Sequence, residues 1–249
     1  MRRLDIAVLS VFLVAGGIPL FNQQSHVLKK ARQLIIVTTM GWNSIRGEME
    51  RFERTSFGEP WQAIGDKIPV VVGRNGMAWG KGLHGEIPGG VAMKKEGDGR
   101  SPAGIFALSS AFGYAEQSKI GALGLPYVQA VSTLECVDDV KSAHYNQILD
   151  RKSIRNPDWK SSEQMRRQDD LYRLGVVVDH NAKREAGCGS CIFLHIWDGA
   201  GKGTAGCTAM EAAKMEEVLR WLDGKKNPIL VQLPQTERRS LQKVWDLPE

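Results

Sequence analysis

The sequence contains few of the residues that mark several common protein classes. With 4 cysteines in 249 residues, it is not a small domain held together by disulfides. Aromatic residues make up only 7%, and the net charge of +5 is mild and scattered along the chain, so nucleic-acid binding is not predicted. The hydrophobic content of 42% is nevertheless too high for a disordered chain. These numbers predict one folded domain of enzyme size, whose weak positive field is compatible with an anionic substrate.

The first thirty residues have the pattern of a targeting segment. Arg2 and Arg3 precede an apolar stretch at residues 6–15, and small and polar residues follow it, as in a bacterial secretory signal. The apolar stretch is short for a membrane span, and an uncleaved anchor or a buried first strand are the alternatives. We therefore predict a signal peptide or membrane anchor at residues 1–30. Residues 31–249 are then expected to form a folded domain in the periplasm or cell envelope.

Short β-branched runs separated by turn residues recur from residue 33 onward, which is typical of strands. The predicted strands are residues 34–39, 48–53, 68–72, 105–108, 127–131, 175–178, 191–197 and 229–233. Two stretches have a helical pattern, residues 162–174 and 208–222. Because the strands do not alternate regularly with helices, we expect a mainly β fold with added helices, of the α+β class, built as a sandwich or barrel-like domain.

The charged stretch at residues 138–170 is predicted to be an insertion. It has two interpretations, a surface flap that covers a groove or a plain solvated loop. Long charged segments are more often solvated, so the loop is the favoured interpretation.

The candidate chemistry begins on the predicted strand at residues 191–197. Alternation places Ile192 and Leu194 on the face that meets the core. His195 and Trp197 then lie on the opposite face, which must meet a groove or another layer. This predicts a histidine at the wall of a site.

A second candidate group follows the next loop. Thr208 and Glu211 form an S/T-x-x-E capping box, which predicts that a helix begins at Thr208. Cys207 would then stand just before a helix N-terminus, where the macrodipole favours a thiolate. The backbone amides of Gly206, Cys207 and Thr208 would face an oxyanion. With His195 as the base, this arrangement predicts acyl transfer by a cysteine nucleophile.

These residues resemble the L,D-transpeptidase catalytic domain of bacterial cell-wall enzymes, in its single-domain branch. The family signature is a strand histidine, a loop and then Ser/Thr-x-Gly-Cys, and His195, Thr204, Gly206 and Cys207 match it. Residues 95–106 are similar to the family's K-x-G-D-G-x-T/S-P-x-G-x-F turn, which borders the substrate groove. The two motifs occur in the expected order, and together they are far more specific than either alone.

The resemblance implies a fold, a reaction and a set of groove residues. The fold is a β-sandwich of the L,D-transpeptidase type, with the catalytic cysteine just before a helix N-terminus. His195 would take the proton of Cys207, whose sulfur attacks a tetrapeptide stem and expels the terminal D-amino acid. An amine of a neighbouring stem would release the acyl group, or water would do so in L,D-carboxypeptidase action. The expected groove residues are Thr204, Trp197, Lys95, Gly97, Asp98, Arg100, Pro102 and Gly104.

The resemblance also implies what the site would not need. No metal and no organic cofactor would take part, and the partners would be peptidoglycan stem peptides rather than nucleic acid. A membrane would be contacted only through an uncleaved N-terminal segment, and the chain is expected to be a monomer. One residue departs from the better-known branch of the family, since Ala209 stands where an arginine would hold a substrate carboxylate. Arg100, Lys94 and Lys202 are the candidate replacements.

Three other hypotheses remain open. Residues 199–204, Gly-Ala-Gly-Lys-Gly-Thr, partly match a phosphate-binding loop of an NTPase, although such a loop must run directly into its helix. Cys188 and Cys191 have the spacing of a redox pair or half a zinc site, and either could pair with Cys136 in an oxidising compartment. Finally, the domain could be a wall-binding module that has lost activity.

Overall fold

The computed structural model of the chain describes residues 28–85, 87 and 91–249. Most of the predicted targeting segment therefore lies outside the described residues. Leu28 does not, and its side chain is 1% exposed within the main core. In the described part of the chain, no helix combines the length and the apolar character that a membrane crossing requires.

Fourteen strands and a few short helices make up the structure, which confirms a mainly β fold with added helices. The strands are β1 (Gln33–Thr39), β2 (Arg46–Glu53), β3 (Gln62–Ala63), β4 (Ile68–Val71), β5 (Met77–Trp79), β6 (Ser101–Gly113), β7 (Tyr127–Gln129), β8 (Leu134–Val137), β9 (Ile148–Asp150), β10 (Ser162–Gln164), β11 (Leu174–Val178), β12 (Phe193–Ile196), β13 (Thr208–Met210) and β14 (Ile229–Pro234). Besides helical residues at 28–30, the helices in the described part of the chain are α1 (Gln117–Ile120), α2 (Ala212–Trp221) and α3 (Gln235–Leu241), with 3₁₀ turns at Arg151–Ser153 and Gly224–Lys226.

Eight strands are hydrogen-bonded into a closed ring, which we call the barrel. Its order is β1-β14-β6-β11-β12-β13-β4-β2, and β2 pairs back with β1. Closure leaves no free edge among these eight strands. The β1–β14 and β12–β13 pairs are parallel, and the other six pairs of the ring are antiparallel. The pairing thus gives a ring and not the two separate sheets that a sandwich would have.

Apolar side chains drive this closure from both sides of the barrel wall. In β1, residues 34–37 are all 0% exposed, because the strand is covered on both faces. Helix α2 buries Met215, Val218 and Leu219, which recur at helical spacing, and it packs against β11 and β12. The strand that carries the candidate histidine is therefore held by neighbouring strands and by a helix.

A second, three-stranded sheet stands outside the barrel in the order β10-β8-β9, and we call it the flap sheet (residues 134–164). A disulfide between Cys136 of β8 and Cys191, just before β12, ties it to the barrel. The favoured prediction for residues 138–170, a plain solvated loop, is therefore wrong, because its backbone pairs into a sheet and a covalent bond anchors that sheet.

The predicted helix at residues 162–174 is also wrong. Residues 162–164 instead form β10, in register with β8 from Ser162 opposite Val137 to Gln164 opposite Glu135. The turns that follow are fixed by the Asp169 carboxylate, which accepts hydrogen bonds from the Arg167 side chain and from the Leu171 amide. Pairing with a partner strand and local side-chain bonds have overridden the helical pattern.

Candidate functional site

A cavity of about 680 Å³ lies between the barrel and the flap sheet. The barrel contributes Cys207, His195 and Trp197 to its wall, together with the loop that precedes β13. The flap sheet contributes Asp138 and Glu163 to the opposite wall. The structure thus brings the predicted nucleophile and the predicted base into one cavity, which the flap sheet partly covers.

The backbone of Cys207 is clamped by two hydroxyl groups. Thr204 Oγ1 donates to the Cys207 carbonyl oxygen at 2.6 Å, and Ser101 Oγ donates to the same oxygen at 2.9 Å. Ser101 in turn accepts from the amide of Gly73 at 2.8 Å. Three segments distant in sequence therefore meet at one peptide group and fix where the thiol can point.

The predicted helix start at Thr208 is wrong. Thr208 begins strand β13 and pairs with Leu194 of β12, because its hydroxyl donates to Gln232 Oε1 instead of capping a helix. Helix α2 starts only at Ala212, and its N-cap residue Glu211 makes no side-chain cap bond. Cys207 consequently precedes a strand, and the argument from the helix macrodipole does not apply to it.

The predicted oxyanion amides are also placed differently from the expectation. The Gly206 amide donates to Thr204 Oγ1 at 3.1 Å, so this amide already has an acceptor. Thr208 is 2% exposed within the sheet and lies outside the cavity wall. Gly206 and Cys207 do line the cavity.

The environment of the Cys207 thiol favours its neutral form. Burial raises its pKa to about 12, and the Glu163 carboxylate adds to this effect. The Phe193 amide, which donates to Sγ at 3.3 Å, the Lys94 ammonium and a hydrogen bond with Tyr172 act in the opposite direction. The expectation of a resting thiolate is therefore wrong, because desolvation outweighs the donors around the sulfur.

The imidazole of His195 is likewise neutral at rest. Burial lowers its pKa to about 4, although hydrogen bonds with the backbone of Ile196 and Leu171 oppose the shift. Nδ1 lies 2.7 Å from the Ile196 carbonyl oxygen, which can only accept, so Nδ1 carries the hydrogen. Nε2 then holds the lone pair and is the ring nitrogen able to take a proton. Both the His195 ring and the Cys207 thiol line the cavity, but no hydrogen bond joins these two described side chains.

The other predicted groove residues divide into two groups. Thr204, Trp197 and Gly97 line the cavity. The structure places the remaining five outside its wall, namely Lys95, Asp98, Arg100, Pro102 and Gly104. Their contacts explain why.

These five residues build the support beneath the wall. Asp98 Oδ1 accepts from the Lys94 ammonium at 2.6 Å and from the Arg100 amide at 2.9 Å. Arg100 donates through its guanidinium to the Met77 carbonyl at 2.9 Å. At Gly104, where φ is +137°, an added Cβ would lie 2.1 Å from the His84 ring. This motif therefore holds the cavity's edge in place.

The cations in the cavity wall include two of the three candidate replacements for the missing arginine. Lys94 and Lys202 line the cavity, as does Arg74, which the sequence did not single out. Lys94 is buried and paired with Asp98, and Lys202 is exposed and paired with Asp198 at 2.8 Å. Ala209 itself is 0% exposed inside β13.

The cysteines settle one open alternative. Cys136 pairs with Cys191, and Cys188 and Cys207 are free thiols, so Cys188 and Cys191 are not a redox pair with each other. Among the described residues, no group of three or more His, Cys, Asp or Glu side chains is arranged to hold a metal ion.

The phosphate-loop hypothesis fails on backbone geometry. Residues 199–204 run into strand β13 through a bridge between Gly73 and Thr204. A phosphate loop needs a helix N-terminus directly after it, and here the next helix begins at Ala212.

Three side chains at the site were missed by the sequence reasoning. Ser101 lies within the groove motif at residues 95–106, so the sequence could have indicated it as a site residue. Tyr172 and Glu163 had no usable signal, because both fall in the stretch predicted to be a helix. The pairing of β10 with β8 sets the position of Glu163, and Tyr172 lies in the turns between β10 and β11.

Comparisons with family models, with curated proteins and with solved structures found no significant match to this chain. The case for a function therefore depends on the geometry of the cavity and on the two sequence motifs.

Proposed function

We propose that this protein is a cysteine acyltransferase of the L,D-transpeptidase type that acts on peptidoglycan stem peptides in the cell envelope. The observation that carries the proposal is the cavity in which the clamped Cys207 and the buried His195 meet. Both residues belong to the motif that resembles this family.

Cys207 is the nucleophile and His195 its general base. Since both groups are neutral at rest, the sulfur attacks the carbonyl carbon of the stem peptide as its proton passes to Nε2 of His195. The imidazolium then gives this proton to the departing amine of the terminal D-amino acid, and a thioester remains on Cys207. An amine of a second stem, or water, attacks the thioester and regenerates the thiol.

The charges of the cavity support a substrate with a carboxylate. Arg74, Lys94 and Lys202 contribute cationic groups to the wall. Of these, Lys202 is the most exposed, and its exposed partner Asp198 releases it at little cost. These cations take the place of the arginine that the better-known branch of the family has at the position of Ala209.

The decisive experiment incubates the protein with a disaccharide-tetrapeptide and follows both protein and products by mass spectrometry. We expect an acyl adduct on Cys207, release of the terminal amino acid, and either a cross-linked dimer or a tripeptide. Cys188→Ala is the matched control, because this free thiol lies outside the cavity wall. If neither an adduct nor a released amino acid forms, the acyltransferase proposal is wrong.

A wall-binding domain without activity is the alternative that the buried, high-pKa thiol favours. The same experiment separates the two functions. An inactive domain would bind the disaccharide-tetrapeptide and leave Cys207 unmodified.

A further inference from the structure

Tyr172 lies beside both residues of the proposed dyad. Its ring packs edge-on against the His195 ring, with centroids 5.1 Å apart, and it belongs to the same buried cluster and the same cavity wall as Cys207. The same hydroxyl donates to Glu163 Oε1 on the flap sheet. Tyr172 is therefore the side chain through which the flap sheet reaches the nucleophile.

The phenol has one hydrogen and two acceptors that compete for it. A phenolic hydroxyl donates only once. In the structure it donates to the Glu163 carboxylate, and the thiol is left with the carbonyl oxygen of Cys191, 3.5 Å from Sγ, as its acceptor. A thiolate on Cys207 would need the phenol hydrogen more than a neutral thiol does, because a hydrogen bond to an anion is stronger.

Several charged groups face this pair. Lys94 acts on the thiol and lowers its pKa, whereas Glu163 raises it. Burial raises the pKa of the Glu163 carboxyl, and Asp138 and Glu96 add to this effect. The hydrogen bond from Tyr172 and the guanidinium of Arg167, whose Nη1 lies 3.8 Å from Glu163 Oε1, lower it. An anionic Glu163 thus hinders the thiolate twice, through its charge and by holding the phenol hydrogen.

We propose that the Tyr172 hydroxyl is a donor shared between Glu163 and Cys207, and that a cationic group of the substrate, bound beside Glu163, turns it towards the sulfur. This inference takes Cys207 as the nucleophile from the proposed function and adds a substrate class. The ligand carries an ammonium group, which neutralises Glu163 and releases the donor. On this proposal Tyr172 is a catalytic residue, since its hydroxyl donates to the reacting sulfur, and Glu163 is a positioning residue that acts through it.

Two conservative variants test the shared donor. Tyr172→Phe keeps the ring against His195 and removes the hydroxyl, while Glu163→Gln keeps the shape and removes the charge. The measurement is the rate at which iodoacetamide alkylates Cys207 at neutral pH in a Cys188→Ser background, read by intact mass. Circular dichroism and melting verify that each variant is folded.

The two variants are expected to change the rate in opposite directions. We expect Tyr172→Phe to slow alkylation about tenfold, because the thiolate loses a donor. We expect Glu163→Gln to accelerate it about threefold to tenfold, because the sulfur loses a nearby negative charge and gains the phenol hydrogen. Asp198→Asn is the matched control. It removes a negative charge from the same cavity, but that charge is paired with Lys202, so the alkylation rate should stay unchanged.

A small cation tests the substrate class. Nα-acetyl-lysinamide, which carries one side-chain ammonium, should accelerate alkylation of the Cys188→Ser protein several-fold and leave Glu163→Gln unaffected. Its neutral Nα,Nε-diacetyl counterpart should do nothing to either. The proposal is overturned if Glu163→Gln is alkylated no faster than the Cys188→Ser parent, or if Tyr172→Phe is alkylated at the parent's rate. It is also overturned if Asp198→Asn accelerates alkylation as Glu163→Gln does, or if the ammonium compound accelerates alkylation of the parent and of Glu163→Gln equally.

This test is independent of peptidoglycan chemistry. A chain that shows the expected alkylation rates but no acyl adduct with the disaccharide-tetrapeptide keeps the shared donor and loses the transpeptidase proposal. A chain that forms the adduct but whose variants show unchanged alkylation rates keeps the transpeptidase proposal and loses the shared donor.

Discussion

The two walls of the cavity are built in different ways. The barrel wall belongs to a closed ring of strands, and Cys207 and His195 lie there among buried apolar neighbours. The flap wall is a three-stranded sheet that presents Asp138 and Glu163 and is joined to the barrel by one disulfide. On the proposed mechanism, the barrel wall supplies the reacting groups at fixed positions, and the flap wall supplies charges that adjust their reactivity.

This contrast has an energetic reason. A nucleophile and its base must be held within a fraction of an ångström, which a closed sheet achieves. A charge that modulates them acts over a longer distance and tolerates more motion. Substitutions in the barrel wall should therefore abolish chemistry, whereas substitutions in the flap wall should change rates and local stability.

The largest effect is expected from Cys207→Ala. Turnover of the disaccharide-tetrapeptide should fall by at least about a thousandfold, because the nucleophile is gone. The fold loses the bond from the Phe193 amide to Sγ and the bond from the thiol to the Cys191 carbonyl, together worth about 1–2 kcal/mol, or roughly 2–8 °C in melting temperature. A melting temperature more than about 10 °C lower would mean that the thiol is a structural part of the core.

His195→Ala is the second test of the barrel wall. Activity should fall about a hundredfold to ten-thousandfold, because the proposed general base for the attack is gone. The Cys207 thiol should remain open to alkylation by iodoacetamide, since the cavity is still present. A variant with near-normal turnover would remove His195 from the proposed mechanism and leave the nucleophile unaffected.

The barrel wall was largely predictable from sequence. The alternation in residues 191–197 placed His195 opposite Ile192 and Leu194. The structure has both of these side chains in the main core and His195 in the cavity wall, although Ile192, which lies just before β12, also reaches that wall. The alternation of apolar and polar residues is sufficient here, because successive side chains of a strand in the barrel wall point to its two opposite faces. The motif likewise pointed to Cys207, which lines the same cavity.

The flap wall was not predictable, and neither was the ionisation of the thiol. Residues 162–164 are a strand only because β8 is there to pair with them, and β8 is more than twenty residues away in sequence. The capping box at Thr208 failed for the same reason, since pairing with Leu194 outweighs a local cap. A thiol pKa depends on burial by such distant elements, so local motifs do not determine it.

Breaking the disulfide tests whether the flap wall depends on its anchor. Cys136→Ser opens a covalent link between residues 55 apart in sequence, and the loss should cost about 2–4 kcal/mol. We expect faster proteolysis within residues 134–164, lower turnover and little change in hydrogen exchange of the barrel strands. Cys188→Ser, which removes a free thiol, is the control. Equal loss of protection in barrel and flap would show that the two walls are one cooperative unit.

The smallest effect is expected from a buried carboxylate inside the flap sheet. Burial alone would raise the pKa of Glu135, but hydrogen bonds from Trp159, Gln164, Ser162 and Arg151 outweigh it and hold the pKa below its ordinary value of 4.5. The ionised form therefore stabilises the flap sheet above about pH 4.5, and this stability is lost as the pH falls through the lower folded value.

Hydrogen exchange from pH 6 down to pH 4 and below should then show flap amides losing protection before barrel amides do. Glu135→Gln should remove most of this pH dependence and lower protection of the flap sheet by about 1–2 kcal/mol at neutral pH, because the amide loses the charge-assisted bonds. Glu59→Gln is the matched control, because Glu59 is exposed and lies outside the cavity wall. It should change neither the pH dependence nor the protection of the flap sheet. The flap sheet of Glu135→Gln could instead lose protection in acid as the unsubstituted protein does. Another carboxylate would then control that transition, and the carboxylates that adjust the cavity would also be the ones that stabilise the flap sheet.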